Sequence, residues 1–248
     1  MAIAPTGTAD LPVPVLEGAH WRVVVRPGTF KSERIPTLAE CWLIVERSRV
    51  ALRGWDYPHA DDAGRGQGNG WIGSWVDWRN HVEYWRLHQS GQFLHLSAFS
   101  EDEVKEDALR RVMEWAWSLP DGLTPTGHVE FIGALYRLTE IFEFAARLAT
   151  AGVLDEHPVI EVGMRRIKGR VLMSTDSGRV GFGEIFQASE DSLGRAWETT
   201  SPDLIANSAR LAVDATVWFF ERFGWQDPPR GTLEREQAEF LARRTRRS

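Results

Sequence analysis

His81-Val-Glu-Tyr-Trp-Arg-Leu-His88 and Gln92-Phe-Leu-His-Leu-Ser-Ala-Phe99, two β-rich runs split by Gln89-Ser90-Gly91, decide how this chain is read. Short runs of aromatic and β-branched residues around a glycine turn predict a hairpin. With Ser90-Gly91 as a two-residue loop, His88 faces Phe93, Arg86 faces His95, Tyr84 faces Ser97 and Val82 faces Phe99. Leu87 with Leu94 and Trp85 with Leu96 then make an apolar face. Period-two geometry collects Tyr84, Arg86, His88, His95 and Ser97 on the other.

Upstream, residues 21–26 are β-rich and are stopped by Pro27-Gly28. Pro36 opens a helix to about Arg47, with Leu38, Cys41, Trp42 and Val45 on one face. Residues 50–57 predict a second strand, and residues 61–70, with four glycines, a loop. Downstream, Ser100-Glu-Asp-Glu103 caps a helix carrying Val104, Leu109, Val112, Met113 and Trp117. Residues 131–151 predict a strongly apolar helix, 159–164 and 170–174 strands, 201–223 a long helix and 232–244 a terminal amphipathic one. The expected fold is α+β, with an antiparallel or mixed β-sheet in the N-terminal half packed against long helices of the C-terminal half. Residues 1–20 read as a flexible arm and 21–248 as one domain, with a sub-boundary near 119–126.

Among 248 residues the 12 Trp outnumber the 3 Tyr. A net charge of −6 opposes attraction of the whole surface to nucleic acid or anionic membrane and leaves room only for a local basic patch. A single cysteine excludes an internal disulfide and a multi-cysteine zinc site. Cys41, within Cys41-Trp-Leu-Ile-Val45, reads as an inert buried thiol. The first eighteen residues lack the layout of a secretory signal. The most apolar window, 211–220, contains Asp214 and is about half the length of a membrane span. The expected location is the cytoplasm, without membrane attachment.

Tryptophan carries an N–H that needs a partner when buried, so indoles beside His, Asp and Arg suggest a polar site with apolar walls. The expected ligand-binding residues are Arg53, Trp55, Asp56, Tyr57, His59, Tyr84, Arg86 and His95. Trp55, Tyr57 and Tyr84 would stack, Arg86 would meet an anion, and Asp56, His59 and His95 would give directional hydrogen bonds. A small molecule, a nucleotide or a nucleic-acid end suits rings plus cations. The competing reading is a hydrolase or phosphodiesterase using His59, His95 and Asp56 for acid–base chemistry. A third is a structural subunit that docks on a protein partner or a second copy.

Arg166, Lys168 and Arg170 alternate onto one face of an extended chain, a local basic patch for nucleic acid or a solvated strand face that protects an edge. His81 and Glu83 share a strand face while His88 and His95 take the other, so no metal site is expected, and no cofactor. The glycine run lacks the Lys-Ser/Thr of a P-loop, which favours a lid or connector. No serine sits in Gly-x-Ser-x-Gly.

The strings Leu52-Arg-Gly-Trp-Asp-Tyr-Pro-His59, His81-Val-Glu-Tyr-Trp-Arg86, Ser90-Gly-Gln-Phe93 and Trp218-Phe-Phe-Glu-Arg-Phe-Gly-Trp225 resemble those of an uncharacterised bacterial protein family over about residues 21–243. That family brings no activity, cofactor or catalytic residue. The strings are also similar to segments near Schlafen-like nucleic-acid-binding modules and prokaryotic defence genes, a resemblance that implies sensing or binding. The expectation is a cytoplasmic ligand-recognition or sensor protein without turnover of its own.

Overall fold

The computed structural model describes residues 13–78, 81–104, 125–174 and 184–245. Seven strands form one sheet: β1 (His20–Arg26), β4 (Arg65–Gly68), β5 (Trp71–Trp78), β6 (His81–His88), β7 (Phe93–Ala98), β9 (Val159–Arg165) and β11 (Ser192–Glu198). Their order is β11-β9-β1-β7-β6-β5-β4, and every neighbouring pair is antiparallel. Two small pairs flank it, β2 (Val50–Ala51) with β3 (Asp56–Tyr57), and β8 (Gly127–Glu130) with β10 (Arg170–Met173).

The α-helices are α1 (Val13–Glu17), α2 (Leu38–Ser48), α3 (Phe131–Thr150), α4 (Ser201–Arg222) and α5 (Arg230–Thr245), with short 3-10 turns at Asp62–Gly64 and Ser100–Val104. Their starts follow from local chemistry. Thr37 and Glu40 form a capping box on α2, Glu130 caps α3, and Thr200 caps α4 ahead of Pro202. Leu135, Leu138, Ile141, Phe142, Ala145 and Leu148 are the buried stripe of α3 that the apolar spacing predicts.

One hydrophobic core joins both halves of the chain. Val23 and Val25 of β1, Trp85 and Leu87 of β6, Phe93 of β7 and Ile160, Val162 and Met164 of β9 pack with α3 and α4. The fold is therefore α+β, with a largely N-terminal sheet that recruits β9 and β11 from the helical half. On the opposite sheet face Val15 packs with Tyr84 and Leu96 in a small second cluster. Within the predicted arm, Val13–Glu17 form α1 and His20 opens β1; residues 1–12 lie outside the described residues, as do most of the sub-boundary near 119–126 and the predicted helix body beyond Val104.

Three local expectations change. The hairpin register is one residue off the predicted one: Glu83 faces Ser97, Trp85 faces His95 and Leu87 faces Phe93. The loop has three residues, with the Gly91 N–H donating to the His88 carbonyl and Gly91 at φ 85°, where a left-handed residue closes a bulged turn. A one-residue slip exchanges faces, so His95 and Ser97 join Trp85 on the core side. Residues 50–57 are two short strands bent at Gly54 rather than one. The glycine run contains β4, an edge strand. A side chain at Gly64 would overlap the Trp75 carbonyl and one at Gly68 the Trp71 indole, so these glycines permit pairing rather than a loop.

Candidate functional site

The corrected register brings polar side chains onto the inner sheet face. Pairing of β6 with β5 and β7 puts His81 and Glu83 in line with Trp85, and Ser97 and His95 beside them. Glu83, only 2% exposed, is the hub. Its Oε2 lies 2.6 Å from His81 Nε2. Its Oε1 accepts the His59 backbone N–H at 2.8 Å and lies 3.0 Å from His95 Nε2. Burial alone would raise this carboxyl, but the His95 and His81 imidazoles outweigh it and hold it well below the usual carboxylate range. Burial lowers His95 in turn, with Glu83 pulling the other way. Trp85 Nε1 donates to the His59 carbonyl at 2.6 Å, so residue 59 is held by both backbone groups.

The predicted residues are dispersed around this hub. Trp55 and Trp78, 40% and 43% exposed, flank His59 and His81 in a ring cluster; Trp55 stands 4.4 Å from His81 and Trp78 4.9 Å from His59 between centroids. Tyr57 and His95 lie in the interior, 4.8 Å apart, with Phe144 against the tyrosine. Asp56 pairs with Arg49 at 3.3 Å. Tyr84 and Arg86 face the opposite side of the sheet, where the guanidinium stacks 3.7 Å from the Trp71 ring. The eight residues therefore do not share one pocket. The basic patch also divides: Arg166 and Lys168 are exposed in a turn, whereas Arg170 is buried, pairs with Asp102 and donates to the His128 carbonyl at 2.9 Å.

Arg53 leads elsewhere. It makes a two-point contact with buried Glu140 on α3, at 3.0 and 2.6 Å, and borders a cavity of about 300 Å³. Trp21, Phe99, Ser100, Glu101, His128 and Arg137 also line this hollow. Arg137 lies on the same side of α3 as Glu140, three residues earlier, yet it has no carboxylate partner among the described residues. Burial lowers Arg137, and Arg53 adds to the effect. His128 is 1% exposed and neither ring nitrogen has a hydrogen-bond partner. Burial lowers it against the pull of Glu101, which keeps the imidazole neutral, with one donor and one acceptor to offer.

Between hub and cavity run further unpartnered buried atoms: Tyr57 OH, Ser97 Oγ and His95 Nδ1. Sequence reasoning missed Arg137, His128 and Glu101. The available signal was Arg137 and Glu140 inside an otherwise apolar helical stripe. Among the described residues no three His, Cys, Asp or Glu side chains are placed to hold a metal ion, and no helix is long and apolar enough to cross a membrane. No protein-family model, curated protein or solved structure matches the chain.

Proposed function

We propose that this chain is a cytoplasmic ligand-recognition or sensor protein whose site is the cavity beside the first half of α3. Its ligand is a small polar molecule bearing a carboxylate or a phosphate. One observation carries the reading: among the described residues Arg137 has no carboxylate partner and buried His128 no hydrogen bond, and both border the same hollow. An unpaired buried polar group costs about 1–3 kcal/mol, so the two open ring nitrogens of His128 beside this hollow are accounted for by a ligand that completes them. The Trp21 and Phe99 rings, 5.5 Å apart, give that ligand an apolar wall; a nucleotide would enter by its phosphate at Arg137 and lay its base there. The hydrolase reading is less favoured because His95 has no exposed surface.

Calorimetric titration of the full chain with inorganic phosphate, acetate and adenosine monophosphate tests the proposal. Saturable binding of at least one is expected, weakened about tenfold or more by Arg137→Gln, the scale of one charge-assisted contact. Absence of heat with all three at millimolar concentration would remove the proposal.

A further inference from the structure

The cavity wall carries both signs of charge. Glu101, like Arg137, has no ion-pair partner among the described residues. Its Oε1 accepts the Glu130 backbone N–H at 3.2 Å and its Oε2 the Ser100 hydroxyl at 3.3 Å. Each carboxylate oxygen has two acceptor positions, so both keep one to spare. Arg53 adds little net charge, because the buried Glu140 carboxylate already compensates it. Glu130, the other carboxylate on the wall, is engaged as the cap of α3 by the Gly133 N–H. What remains is one cation, Arg137, one carboxylate without such a role, Glu101, and the uncharged imidazole of His128.

A purely anionic ligand would satisfy Arg137 and meet repulsion from Glu101. A purely cationic ligand would do the reverse. A molecule with an anionic and a cationic end satisfies both, and complementary charge placed this way also rejects the singly charged analogues. We infer that the cavity selects zwitterions, an amino-carboxylate class of ligand, with the acidic end at Arg137, the ammonium at Glu101 and a polar substituent at His128. This inference rests on the binding function proposed above and specifies its ligand class.

The test is a ladder of ω-amino acids from glycine to 6-aminohexanoate, each compared with the carboxylate and the amine of matching length. Binding to the full chain is read by calorimetry and by tryptophan fluorescence. At one length the zwitterion is expected to bind about tenfold or more tighter than either analogue. Glu101→Gln, which keeps an acceptor for the Glu130 N–H, should erase that advantage and leave the carboxylate's affinity in place. Arg137→Gln should weaken both the zwitterion and the carboxylate. Carboxylates that bind as tightly as their zwitterions at every length overturn the inference and leave the anion site standing. No binding of any ladder member, with phosphate, acetate and adenosine monophosphate silent as well, overturns both.

Discussion

The inner face of the sheet has two unlike halves under one helical layer. Toward β9 and β11 it is apolar: Val23, Ile160, Val162 and Met164 pack against Phe219, Phe142 and Trp197, with Phe142 and Trp197 5.8 Å apart edge to face. Toward β6 and β7 the same face carries Glu83, His95 and Ser97, and the helix above it offers Arg137 and Glu140. Dense apolar packing stabilises without further requirement. Buried polar groups stabilise only when every partner is present. The first half is complete as it stands, while Tyr57, Ser97, His95 and His128 leave atoms unpaired in the second.

That contrast can be broken experimentally. Phe219→Ala should cost about 3–5 kcal/mol in urea unfolding, the usual loss for a buried phenylalanine. A cost near zero would mean the apolar half is not the stabilising one. Glu83→Ala should cost about 3–5 kcal/mol, because it strips the carboxylate from His81, His95 and the His59 N–H at once. Glu83→Ala proteins as stable as wild type would show the hub to be dispensable.

Acidification is the intermediate case. Burial lowers His20, His95 and His128 from the ordinary 6.5, and lowers His88 to about 4. The unfolded chain then takes up protons that the folded one refuses, so stability should fall as pH drops from about 6.5 toward 4. Glu83 acts in the same direction lower down. Its contribution is present above 4.5 and is lost as pH falls through its depressed folded value. Urea midpoints that stay level between pH 7 and 4 would contradict the histidine assignments, and midpoints that stay level as pH falls further below 4.5 would contradict that of Glu83. The smallest effects belong to the unpaired atoms. Ser97→Ala and Tyr57→Phe should leave stability unchanged or raise it by up to about 1–3 kcal/mol, since each removes a buried group without a partner among the described residues. A loss above about 1 kcal/mol would reveal a partner for that group.

Much of the apolar half is legible in the sequence because it obeys periodicity: the α3 and α4 stripes and the start of α4 at Ser201-Pro202-Asp203 can be read directly. The hairpin is legible as a hairpin. Its register is not, because Gln89-Ser90-Gly91 serves equally as a two-residue or a three-residue connection until Gly91 is known to be left-handed. That single step moved His95 away from Arg86 and into the interior. The cavity escapes local reading altogether. Its walls come from β1, the link between β2 and β3, the end of β7, β8 and α3, and no spacing rule connects residues so far apart.

The segment bearing Trp55 is fastened at both ends, Arg53 to Glu140 and the backbone of His59 to Glu83 and Trp85. Its indole is consequently displayed on a short, taut bridge. A surface that comes to cover that ring meets a side chain with little freedom left to surrender.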